Sequence, residues 1–157
     1  MTVSPTTRRR GVIAAVILAF IAALFVQSRL DSAIDSTDRD LPTHAVTYGD
    51  VWPLDVANTD ALRSLGLGER DSYPAGRGML FVFDRPYPYG FWMKGMRFSI
   101  DMVFLSRGRV VFIERGIGPE DRRIVTPPVP VDQVIEFNAG EAQDISLGDR
   151  IWYWQGF

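Results

Sequence analysis

From residue 44 onward the apolar residues come in short runs, each followed by a glycine, proline or asparagine signal. The runs are Val51–Ala57, Met79–Phe83, Ile100–Leu105, Arg109–Glu114, Val131–Phe137 and Arg150–Trp154, with an alternating stretch over His44–Tyr48 before them. Runs of four to eight residues are strand-length and too short for bundle helices. Ser106-Arg107-Gly108 reads as a hairpin turn between two of them. Pro53 places the second run at an edge or a bulge. One short helix fits over Thr59–Leu65, with Asn58 as its N-cap and Gly66 as its stop. Residues 66–78 hold four glycines and one proline and read as a loop, as do 115–130. Asp84–Gly90 reads as a turn, and Phe91–Met93 as a strand or as part of one bent strand with Ile100–Leu105, kinked at Lys94-Gly95. The expected fold is mainly β: a small antiparallel barrel or sandwich with one short helix.

The chain of 157 residues suits one compact domain plus a targeting segment. Residues 11–26 are uncharged and apolar, and Gln27 and Ser28 extend the run to Arg29. About 20 such residues span a bilayer, and this run reaches that length when its flanks snorkel. Arg8, Arg9 and Arg10 precede it, so the positive-inside rule holds the N-terminus in the cytoplasm and sends the rest outside. The division expected is a basic cytoplasmic tail (1–10), a transmembrane anchor or cleaved signal segment (11–28), an acidic linker (29–43) and an extracytoplasmic β domain (44–157), in the periplasm or at the cell surface.

Charge and composition exclude several function classes. From residue 44 onward eleven arginines and one lysine face fifteen acids, a net of −3, which is the wrong sign for a nucleic-acid partner. The absence of cysteine removes disulfides, zinc–thiolate sites and thiol catalysis. His44 is the single histidine and lies at the domain edge, which argues against an imidazole base and a histidine-rich metal site. No metal and no cofactor are expected.

The densest chemistry lies in residues 90–105, which hold aromatic bulk, two methionine side chains before Met102, the chain's one lysine and a carboxylate. Read as a strand, Phe91 and Met93 face one side and Trp92 and Lys94 the other. Trp92 then offers a flat platform for a sugar or other planar ligand, and Lys94 a donor to a hydroxyl or carboxylate. The plainer reading has Phe91 and Met93 in the core and Trp92 shielding a barrel end. Asp101 and Glu136 each sit between apolar neighbours in an expected strand, where a carboxylate is costly unless paired. Ion pairs of Asp101 with Lys94, Arg70 or Arg85 are one account. A ligand acceptor, or a carboxylate pair working as acid and base, is the other. Arg70, Arg77 and Arg85 flank the glycine-rich loop and the tyrosine turn, and arginine suits planar carboxylates, though solvated or paired arginines are the commoner case. The candidate ligand-binding set is Trp92, Lys94, Asp101, Arg70, Arg85 and Glu136.

Gly66-Leu67-Gly68-Glu69-Arg70, Gly78 to Phe83, Phe91-Trp92-Met93-Lys94-Gly95-Met96, Ile100 to Leu105, Val134 to Gly140 and Gly148-Asp149-Arg150-Ile151 occur in an order and spacing that resemble the domain-of-unknown-function 192 family over Val56–Ile151. Gly68 stands where that family usually carries methionine, and Gly95 where it usually carries asparagine or a similar polar residue. The resemblance implies a small β-barrel-like fold and brings no established activity.

Together these readings predict a membrane-tethered, non-catalytic extracytoplasmic module that binds a small polar or sugar-like ligand or an envelope protein. Two alternatives stand beside it: a hydrolase using Asp101 and Glu136, and a structural interaction module of the envelope.

Overall fold

The structure is a computed structural model and describes residues 41–47 and 50–154. The basic tail, the apolar segment 11–28 and nearly all of the linker lie outside the described residues. Among the described residues no helix is long and apolar enough to cross a membrane.

Among the described residues seven strands and one helix form in the order β1 (His44–Thr47), β2 (Asp50–Ala57), α1 (Asp60–Leu65), β3 (Gly78–Tyr87), β4 (Ile100–Ser106), β5 (Arg109–Ile117), β6 (Val131–Asn138) and β7 (Trp152–Trp154). They make one sheet with strand order β5-β4-β6-β3-β2-β1-β7. The sheet curls into a half-barrel. Its two ends meet through a bridge between Arg109 and Arg150, where the Val110 N–H donates to the Asp149 carbonyl at 2.8 Å and the Ile151 N–H to the Gly108 carbonyl at 2.9 Å.

The expected all-antiparallel pairing fails at one place. β2 and β3 run parallel, with Leu54 opposite Gly78 and Ala57 opposite Phe81. A parallel pair needs a crossover, and here α1 and the loop after it carry the chain back to the end where β2 began. The N-cap of α1 is Thr59 rather than Asn58. Thr59 Oγ1 accepts from the Leu62 N–H at 3.3 Å, while the Asn58 carbonyl accepts from Arg63 at 2.8 Å.

Central strands bury both faces, so the two-residue alternation separates two apolar clusters rather than core from solvent. One face gathers Met79, Phe81, Met102, Phe104 and Val134 beneath α1 and the long loops. The other gathers Trp52, Leu54, Leu80, Val103, Leu105, Val110, Ile135, Phe137 and Ile151. This second cluster draws on strands across the whole sheet, and we read it as the face that the curl encloses.

Phe91–Met93 is not a strand. Phe91 alone pairs, in a single bridge with Val125. Pro88 and Gly90 break the chain before it, and Gly95, at φ 76°, turns it after. β3 in turn runs on to Tyr87, past the expected turn at Asp84, because its register with β6 shifts between Val82 and Tyr87 and leaves Pro86 on an exposed end.

Candidate functional site

The two strand carboxylates, alike in sequence, are set apart by register. β4 pairs with β6 so that Asp101 lies opposite Phe137 and Met102 opposite Glu136. Directly paired residues share a face and consecutive residues do not. Asp101 therefore projects with Phe137 into the enclosed cluster, and Glu136 projects with Met102 and Met79 onto the other face.

Asp101 is 1% exposed, and its carboxylate is held entirely by backbone. Oδ1 accepts from the Gly116 N–H at 2.8 Å, and Oδ2 accepts from the Gly140 N–H at 2.9 Å and the Ala142 N–H at 3.3 Å. Gly116 and Gly140 have φ of 63° and 89°, a region that glycine enters without strain, and these turns aim both donors at one point. Asp101 thus ties the end of β5 to the turn after β6. It pairs with none of Lys94, Arg70 or Arg85: three backbone donors already satisfy a carboxylate that those side chains do not reach.

Glu136 is the opposite case. It is 5% exposed, yet its carboxyl makes no hydrogen bond or ion pair among the described residues. Burial alone pushes its pKa up to about 8, so the acid is mainly neutral at pH 7. On the central strand β6 it stands between Met79 of β3 and Met102 of β4. Its free side opens onto a cavity of about 390 Å³.

Four pieces of chain build that cavity. α1 and the Gly66–Gly68 segment form one side, with Arg63, Leu65 and Gly66 at the lining. Phe81, Phe83 and Glu136 form the floor, and Tyr89 to Trp92, Lys94 and Met96 complete the lining, joined to the first side where the Glu69 N–H donates to the Gly95 carbonyl at 2.8 Å. Gly66, at φ 52°, lets the backbone lie low over the floor: a Cβ there would stand 3.2 Å from Phe81 Cζ and 3.9 Å from Glu136 Oε2. The aromatic rings brace one another. Phe83 and Tyr89 stack with centroids 3.6 Å apart, and Phe81 meets Phe91 edge-on at 5.1 Å. Arg63 is fully engaged, donating to the Asn58 and Val82 carbonyls and to Asp60, with its guanidinium 5.4 Å from the Phe83 centroid.

Trp92 is 57% exposed, and the Lys94 ammonium lies 5.2 Å from its ring centroid. Lys94 has no carboxylate partner among the described residues. The alternation expected of this segment survives without the strand: Met93 is buried while Trp92 and Lys94 are exposed.

Of the six residues read from the sequence, the structure brings Trp92, Lys94 and Glu136 to one cavity and leaves the other three outside it. Asp101 faces the opposite side of the sheet. Arg70 pairs with Asp55 at 3.3 Å, beside Arg77 at 3.2 Å, and Arg85 is exposed on the outer end of β3. Sequence reasoning missed Phe81, Phe83 and Arg63. The one signal for them was the helix stop at Gly66, which leaves the end of α1 facing β3. Among the described residues no group of His, Asp or Glu side chains is placed to hold a metal ion. An unpaired acid, an aromatic wall and an unpaired ammonium can bind and orient a small molecule.

Two crystal structures share this fold. One, from Sinorhizobium meliloti and described as a "putative transcription regulator", is 29% identical over 70% of this chain and 90% of that one, with a TM-score of 0.65. The other, a protein of unknown function from Novosphingobium aromaticivorans, is 27% identical over 71% of this chain and 84% of that one, with a TM-score of 0.66. No curated protein matches the chain. The family model DUF192, "Uncharacterized ACR", matches residues 44–153. The chain belongs to the DUF192 family.

Proposed function

We propose that this protein is a membrane-tethered, extracytoplasmic, non-catalytic module that holds a small polar or ring-bearing ligand, such as a sugar, in the cavity over Glu136. The observation that carries the reading is the company Glu136 keeps. A buried acid with no partner, facing an open cavity with aromatic walls, is costly for folding and useful for a ligand. Trp92 and Lys94 at the same cavity supply a stacking surface and a donor. The hydrolase alternative loses its geometric basis, because Asp101 and Glu136 project from opposite faces of the sheet. Regulation of transcription, named for the Sinorhizobium neighbour, sits poorly with the net acidic charge after residue 43.

The binding reading is tested by tryptophan fluorescence. Titration with a panel of sugars and small polar metabolites is expected to give a saturable change, and Trp92→Ala to weaken it by about tenfold, roughly the worth of one aromatic contact. A folded Trp92→Ala variant that binds as tightly as the parent removes the indole from the site, and a flat response to every compound removes the site itself. The tether reading has its own check. The full chain is expected to stay with membranes under alkaline extraction, with residues 44–157 open to protease added to whole cells or to spheroplasts. Deletion of residues 11–28 should release it. A full chain found in the soluble fraction of the cytoplasm refutes that part of the proposal.

A further inference from the structure

Two groups of opposite charge type share this cavity, and neither has an ion-pair partner among the described residues. Glu136 lies at the floor with no hydrogen bond or ion pair among the described residues, and Lys94 lines the same cavity, its ammonium beside the Trp92 indole and in no ion pair among the described residues. They form no ion pair with each other. An aromatic wall of Phe81, Tyr89 and Phe91 stands beside the acid, while Phe83 is already stacked on Tyr89 and covered by the Arg63 guanidinium. Such walls, next to a carboxylate, suit an alkylammonium group: the rings attract the cation through their π-faces, and the acid neutralises it. A neutral sugar satisfies the rings but leaves the Lys94 ammonium without a counter-charge.

We propose that the cavity selects a small zwitterion, its ammonium seated between Glu136 and the aromatic wall and its anionic end turned toward Lys94. The inference rests on the ligand-binding reading above and sharpens it to a chemical class. Other charges at the cavity do not compete. Arg63 is held by two carbonyls and by Asp60, whose own side chain is 99% exposed. From the strands on either side, the residues directly opposite Glu136 are Met79 and Met102, neither titratable, and Asp101 faces away.

Seating an ammonium against Glu136 requires the carboxylate, so binding releases the proton that burial keeps on it. Below about pH 8 affinity then rises with pH, by about tenfold per unit. The experiment is calorimetry on the full chain at pH 6, 7 and 8. The probes are glycine betaine and γ-aminobutyrate, with glucose as the neutral control, in buffers of differing ionisation enthalpy. Zwitterion binding that tightens across this range and releases close to one proton per ligand at pH 7 is the expected result. Glu136→Gln, still folded by circular dichroism, should weaken binding and lose its pH dependence. Lys94→Met should weaken binding and keep it. Glucose binding at the cavity, independent of pH and with no response to either zwitterion, overturns the inference and leaves the binding module standing. Silence from all three probes overturns the inference, and silence across the wider fluorescence panel takes the module with it.

Discussion

Asp101→Ala is expected to remove about 3–5 kcal/mol of folding stability. The variant leaves three backbone N–H groups, of Gly116, Gly140 and Ala142, around a site 1% exposed to water. A buried donor with no acceptor costs about 1–3 kcal/mol, and a small cavity adds to that. The loss also spreads. The turn after β6 is held by Asp101 and by Arg115, which donates to the Ala142 carbonyl at 3.0 Å and the Ile145 carbonyl at 2.6 Å. Freed from the carboxylate, it is tied by Arg115, by the Ala139 N–H to the Ser99 carbonyl, by the Gly76 N–H to Glu141 and by the Asn138 amide to the Tyr73 carbonyl. Asp101→Asn should be almost as damaging, because one of its two positions becomes an N–H₂ facing N–H donors. For a domain of this size the melting temperature should fall by roughly 15 °C or more. Denaturant unfolding and thermal melts of the full chain measure both. Asp101→Ala within about 1 kcal/mol of the parent would contradict the anchoring role. Asp101→Asn that keeps its melting temperature and loses a hydrolytic activity would restore the catalytic reading instead.

How far the sequence reaches can be judged from these two acids. Asp101 in Ile100-Asp101-Met102 and Glu136 in Ile135-Glu136-Phe137 look the same locally: a carboxylate between apolar residues in a strand. What separates them is non-local. The register of β4 on β6 sends them to opposite faces, and the turns at Gly116 and Gly140 reach one and not the other. No local pattern encodes which loop crosses which face. The strands themselves were legible because the turn chemistry at Ser106-Arg107-Gly108, Asn138-Ala139-Gly140 and Gly148-Asp149 punctuates them. The parallel pairing of β2 and β3 was not legible, since the short helix between them fits equally well as a decoration on an antiparallel turn. At Phe91–Met93 the apolar alternation was real, but its cause was a loop packing Met93 inward and leaving Trp92 out. Alternation reports burial, and a strand also needs a partner for its backbone. Phe91 has that partner in Val125, and residues 92–99 form no strand.

Glu136 carries the second large effect, and its sign is set by the direction of the shift. The unfolded carboxyl titrates near 4.5 and the folded one near 8, because the charged form is the one that burial penalises. Between those values the folded protein holds a proton that the unfolded chain has lost. Stability is therefore greatest below about pH 4.5 as far as this group is concerned, and it falls as pH rises, by about 1.4 kcal/mol per unit, until the folded group ionises near pH 8. By pH 7 the deficit is about 3 kcal/mol, a large share of the 5–15 kcal/mol typical of a domain. Glu136→Gln keeps the shape and removes the titration. It is expected to match the parent at pH 4.5 and to exceed it by about 3 kcal/mol at pH 7, the reverse of what loss of a structural acid does. The same substitution should abolish the ligand's pH dependence, so one residue reports both the cost to folding and the gain to binding. Unfolding free energies of the two proteins at pH 5, 6, 7 and 8 decide the matter. Parallel curves would mean that the Glu136 carboxyl is solvated or paired in solution, and the cavity would then hold no acid waiting for a partner.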